Sequence, residues 1–153
     1  ERDMVPDGGV RVPQRGVPTL TANEIARYIS CDVTTRVASN LSPWLSHCAV
    51  DDLHLVPVSH GEGKFYASSA EIQQLAASGQ IATQYADPAG NPSMAIADNP
   101  NGSLYAIEGI TSPDGRVLGK MGHTERRGTN IAKNIPGEKY QPLFAGGVEY
   151  FQG

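Results

Sequence analysis

Turn-forming clusters cut this sequence at short intervals, and they limit the fold more than any other feature. Asp87-Pro88-Ala89-Gly90-Asn91-Pro92, Asn99-Pro100-Asn101-Gly102-Ser103 and Ser112-Pro113-Asp114-Gly115 all fall between residues 87 and 115. Proline presets φ, glycine tolerates positive φ, and Asn and Asp bond their own backbone, so each cluster closes a turn. With 17 glycines and 11 prolines in 153 residues, the chain is expected to build short strands and hairpins rather than long helices.

The segments between the turns follow from this. Strands are expected over 32–39, 54–58, 80–86 and 104–111, where β-favouring residues run between turns. Ser112-Pro113-Asp114-Gly115 should close a hairpin from the last of these onto 116–122, and 87–92 a hairpin onto 93–97. After 54–58 the chain reads as a Gly-rich loop and a second short strand. Asn40 to Leu45 reads as a turn followed by a short helical piece.

Two capping boxes suggest helices. Ser68-Ser69-Ala70-Glu71 precedes an apolar stripe of Ile72, Leu75 and Ala76, and Gly79 suits the position past the end, which predicts a helix over about 69–78. Thr21-Ala22-Asn23-Glu24 before Ile25, Tyr28 and Ile29 has the same form and predicts a short helix. The tail from Tyr140 to Phe151 is expected to form a last helix. Residues 1–18 read as a loop or linker-like start, and Glu1 to Gly8 looks like the frayed end of a helix, so the chain is expected to be a fragment. The pattern is that of one α/β or α+β domain over 1–153.

Bulk composition excludes several partners. A hydrophobic fraction of 39% with 18% charged residues is globular rather than disordered. The net charge of −4 offers no basic face for nucleic acid. No apolar run is long enough to cross a membrane, and no apolar segment of signal-peptide type follows Glu1-Arg2-Asp3. Cys31 and Cys48 form no C-x-x-C pair, so a cytoplasmic setting with free thiols is expected.

Three places hold residues suited to chemistry. In Gly122-His123-Thr124-Glu125, positions i and i+2 of extended chain share a face, so Glu125 can fix the tautomer of His123 and leave its other nitrogen as a base. H-x-E alone is common on solvated surfaces. In His60-Gly61-Glu62-Gly63-Lys64, two glycines bracket a carboxylate after a strand, as in loops that approach a ligand closely. There Glu62 would suit an ammonium group and Lys64 a carboxylate, although a tight turn with solvated charges has the same composition. The cysteines are candidate nucleophiles, but neither lies in a G-x-C-x-G elbow. His47, His54, His60, Glu62 and His123 match no metal-ligand spacing, so no metal is expected.

PVSHGEGKF (57–65), NPNGS (99–103) and GITSPDGRVLGKMGHTER (109–126) occur in this order. Together they resemble the glutaminase domain of the phosphoribosylformylglycinamidine synthases, over about Thr19 to the C-terminus. The resemblance implies the C-terminal part of a flavodoxin-like class I glutamine amidotransferase domain, a mixed sheet with β-hairpins and flanking helices. In such domains a cysteine attacks the side-chain amide of glutamine. A thioester forms, ammonia leaves and water releases glutamate. Ammonia then passes to a synthase domain, which uses ATP and Mg²⁺ to convert formylglycinamide ribonucleotide to the amidine. The resemblance makes His123 the triad base and Glu125 its orienter, and places His60, Gly61, Glu62 and Gly63 near the glutamine pocket.

The same resemblance puts the nucleophilic cysteine upstream of Glu1, with the first strands and the oxyanion-hole donors. The chain alone is therefore expected to be inactive, to need no cofactor of its own, and to self-associate through its bared sheet. One departure stands out. The family often has a form like M-P-H-P-E-R, where this chain has Met121-Gly122-His123-Thr124-Glu125-Arg126. A non-catalytic binding module that reuses the fold, and a hydrolase built on Cys31 or Cys48, are the alternatives.

Overall fold

The computed structural model describes residues 18–152. The linker-like start expected over 1–18 lies outside them except for Pro18. Strand β1 is Thr19–Thr21, β2 Ile29–Val37, β3 Leu53–His60, β4 Lys64–Tyr66, β5 Ile81–Tyr85, β6 Ile107–Thr111 and β7 Leu118–Lys120. The helices are α1, Ser69–Ala77, and α2, Leu143–Gln152. Five strands form one sheet in the order β3-β2-β5-β6-β7, and β1 pairs with β4 in a second, two-stranded sheet. Every strand pairing among the described residues is antiparallel, so these residues build the hairpin part of the expected mixed sheet.

The longest pairing is the β2–β3 hairpin, in register from Ile29↔His60 to Arg36↔Leu53. Its inward residues Val33, Val56 and Val58 pack with Tyr85, Ala106 and Met121. This contact bends the sheet. Met121 follows β7 at one edge of the strand order, and β3 is the other edge, yet Met121 joins the cluster that holds Val56 and Val58. The curl lets the chain beyond β7 reach β3, where the His123 amide donates to the Pro57 carbonyl at 2.8 Å. A second cluster of Val37, Leu45, Cys48, Ala82 and Leu143 seats α2 against the 3₁₀ turn Pro43–Leu45. There Gly147 lies so close to the Trp44 ring that a Cβ would stand 2.4 Å from it.

Helix α1 forms where the capping box predicts it. Ser68 Oγ accepts from the Glu71 amide at 3.3 Å, Glu71 Oε2 accepts from the Ser68 amide at 2.7 Å, and Gly79 has φ 68°. Ser68→Ala should cost about 1 kcal/mol, measurable as a lower urea midpoint with unchanged slope.

Three local expectations are corrected. No helix follows Thr21. That residue ends β1, and Asn23 to Ala26 form a turn with Ala26 at φ 54°. Ile25 and Tyr28 stay 44% and 62% exposed, so a helix here would have had no apolar face to bury. The expected hairpin onto 93–97 is reduced to the bridge Ala86↔Pro92 and the Ser93–Tyr85 hydrogen bond. The strand expected from Leu104 begins only at Ile107, because Tyr105 and Ala106 take positive φ in a 3₁₀ turn. The Ser112–Gly115 turn closes as expected, with Gly115 at φ 72°.

Candidate functional site

The HGEG, NPNGS and GHTER stretches are linked in space: Ser103 bonds Gly63, and the His123 amide reaches the Pro57 carbonyl ahead of the HGEG loop. The loop after β7 carries His123 and Glu125, with His123 Nδ1 2.7 Å from Glu125 Oε1. Neighbouring positions alternate as in extended chain: Gly122 and Thr124 are buried, while the His123 side chain is 29% and the Glu125 side chain 56% exposed. The backbone itself is a turn, closed by the Arg126 amide on the His123 carbonyl at 3.1 Å. Burial raises the Glu125 carboxyl, but its own backbone amide, the His123 hydrogen bond and the charges of His123 and Arg126 outweigh that and hold it below the usual carboxylate range. A carboxylate in that state fixes the imidazole tautomer and leaves Nε2 as the basic nitrogen. His123 borders a cavity of about 700 Å³ shared with Pro57, Arg127 and Tyr140, and a second of about 430 Å³ toward Trp44 and Phe144. Arg127 lies 4.1 Å above the Tyr140 ring, a cation–π contact that shapes the first cavity.

The His60–Gly63 loop joins β3 to β4. The two glycines differ. A Cβ on Gly61 would meet nothing within 4 Å, whereas one on Gly63 would stand 2.1–2.2 Å from the His60 ring. The close approach that the sequence suggested is therefore made by the protein's own imidazole. Glu62 is exposed at the tip. Lys64, read from sequence as a cation for a ligand carboxylate, is ion-paired with Glu24. Burial lowers the pKa of His60, partly offset by Asn101. A charge on His123 further disfavours a proton on His60.

Side chains that the sequence places in a capping box (Asn23) and in a turn (Asn101, Ser103) hold this loop. Asn23 Nδ2 donates to the His60 carbonyl at 2.7 Å, and its Oδ1 accepts from the Gly63 amide at 2.9 Å. Ser103 Oγ donates to the Gly63 carbonyl at 3.1 Å and accepts from the Phe65 amide at 3.1 Å. Asn101 Nδ2 reaches Tyr85 Oη at 2.6 Å. Asn99, Asn101 and Ser103 are completely buried, so NPNGS is an internal scaffold for the HGEG loop. The available signal was the density of short polar side chains, which bond backbone groups in turns.

Burial also sets a pH dependence. His54 and His60 both titrate below the ordinary imidazole value because burial disfavours the charged ring. The unfolded chain then binds more protons near pH 6.5. Their contribution to stability is fully present above that pH and is lost as pH falls from about 6.5 toward the lowered native values. Urea midpoints should drop between pH 7.5 and 5.5, and the drop should be smaller in His54→Leu.

The cysteines do not join the site. Burial and Asp52 push the Cys48 thiol up to about 11, and burial with Asp32 raises Cys31. That is the reverse of nucleophile activation. Among the described residues no three His, Cys, Asp or Glu side chains are grouped to hold a metal, and no helix is long and apolar enough to cross a membrane.

The family described as CobB/CobQ-like glutamine amidotransferase domain matches residues 1–151. The chain belongs to that family. Among curated relatives, the phosphoribosylformylglycinamidine synthase subunit PurQ of Chlorobaculum tepidum is 35% identical over 127 residues, 82% of this chain and 53% of its own length. The PurQ subunit of Thermomicrobium roseum is 41% identical over 107 residues, 70% of this chain and 44% of its own. The chain thus spans about half the length of the curated relatives it matches. A chain in the structure of PurLQS from Thermotoga maritima superposes with a TM-score of 0.63 at 22% identity, over 90% of this chain and 54% of that one. The α/β fold is that of a class I glutamine amidotransferase domain.

Proposed function

We propose that this chain supplies the general base and its orienter to a glutamine-hydrolysing site of a phosphoribosylformylglycinamidine synthase. The observation that carries this reading is the 2.7 Å contact between His123 Nδ1 and Glu125 Oε1 beside open cavities. The nucleophile is a cysteine outside this chain. Nε2 of His123 takes the thiol proton as the sulfur attacks the amide carbon of glutamine. The imidazolium returns that proton to the leaving nitrogen, and ammonia departs from the thioester. His123 then deprotonates water, which attacks the thioester carbonyl, and glutamate leaves as the thiol regains its proton. On the same reading, His60, Gly61, Glu62 and Gly63 are the residues that would face the bound glutamine.

On this reading the remainder of the synthase is the partner, and it uses the ammonia with ATP and Mg²⁺ to form the amidine. A cytoplasmic setting agrees with the two free cysteines. The purified 153-residue chain should release no ammonia from glutamine above the buffer rate, while a polypeptide that joins it to a cysteine-bearing segment should. Steady release from the chain alone would overturn the assignment of the nucleophile. Silence from the joined, folded polypeptide would favour a non-catalytic module.

A further inference from the structure

Beneath the His123–Glu125 loop lies a buried polar network that the hydrolysis does not use. Glu108 of β6 has a fully enclosed side chain. The Thr83 hydroxyl donates to its Oε2 and the Gly122 amide to its Oε1, while Lys120 Nζ stands 3.3 Å from Oε1. Lys120 also donates to the Gly122 carbonyl at 2.9 Å and to Thr124 Oγ1 at 3.1 Å. Thr124 in turn donates to Gln141 Oε1 at 2.7 Å, and Gln141 is 1% exposed. The two residues that flank His123 are thus both tied to one buried ion pair.

Burying such a pair is expensive, and apolar residues of the same size would serve stability as well. Its connections are directional instead. Every hydrogen bond from it toward the loop ends on Gly122 or Thr124, the inward positions of the turn whose outward positions are His123 and Glu125. Gly122 presents an amide to Glu108, which a proline there would lack, and Thr124 presents a hydroxyl to Lys120 and Gln141.

We propose that Glu108, Lys120, Thr124 and Gln141 are positioning residues for His123, holding its turn through hydrogen bonds to the residues on either side of it. This rests on the function proposed above for His123. Without the network the turn would sample other conformers, and the Nδ1 contact with Glu125 would be made only part of the time.

The test reads the imidazole directly, in the 153-residue chain. Nitrogen-15 NMR of the neutral His123 ring gives the ratio of Nδ1–H to Nε2–H tautomers. Nδ1–H should dominate in the wild type, because Glu125 accepts that proton. Thr124→Val keeps the shape but drops the hydroxyl, and should raise the share of the other tautomer about fivefold to tenfold, the ratio one net hydrogen bond sets. Thr124→Ser should restore the wild-type ratio. If Thr124→Val does not fold, Gln141→Met decides. It removes the acceptor together with an amide nitrogen that has no partner among the described residues, so its cost to the fold is small. A folded variant with a lower Tm but a wild-type ratio would overturn the proposal, because a purely structural role gives that outcome. None of these readouts needs turnover. A shifted ratio with no ammonia from the joined polypeptide would instead overturn the function assigned to the site.

Discussion

His123→Ala, in a polypeptide that joins this chain to the cysteine-bearing segment, is expected to lower the rate of ammonia release from glutamine by roughly 10²–10⁴-fold, the contribution of a positioned general base. The loss should fall on kcat far more than on KM, because the imidazole acts on protons in transit and not on bound glutamine. Glu125→Gln should cost less. The carboxylate is 56% exposed and the tautomer also depends on how the turn is held, so water screens part of its effect. Single-turnover formation of the thioester separates this from product release. An unchanged rate of thioester formation in His123→Ala would remove His123 from the mechanism.

Lys120→Met is expected to be the most damaging single change to stability. It removes the cation paired with Glu108, whose side chain has no exposed surface and no other ion pair among the described residues. Breaking a buried pair on one side costs about 3–5 kcal/mol. Urea unfolding should show this as a large fall in midpoint. Adding Glu108→Gln should recover most of it, since a neutral amide can still accept from the Gly122 amide without burying a charge. A double variant as unstable as the single one would mean that Lys120 matters through its packing and not its charge.

Sequence made some of this legible and hid the rest for identifiable reasons. Helix α1 and the Ser112–Gly115 turn are local devices, complete within a few residues, and they form where the capping box and the turn chemistry place them. The His123–Glu125 contact is local in the same sense, since its two partners are two residues apart. The box at Thr21 failed because a capping box reports what the backbone can do, while the exposed Ile25 and Tyr28 show that no surface was there to reward a helix. The Glu108–Lys120 pair and the Asn101–Tyr85 contact join different elements. No spacing rule reaches across a sheet order such as β3-β2-β5-β6-β7. The curl that brings Met121 and His123 to β3 depends on packing in the Val33 cluster, which follows from volumes and not from pattern.

Asn23 holds the His60–Gly63 loop from a position 37–40 residues away in sequence, and this couples two clocks. The loop amide of Gly63 is covered by a side chain that arrives with β1, so it can exchange with solvent only when that first strand lifts from β4. Hydrogen exchange at Gly63 should therefore keep pace with the amides of the β1–β4 ladder and not with its own neighbours in β3. The short strand at the margin of the fold would then set how often the loop beside His123 opens.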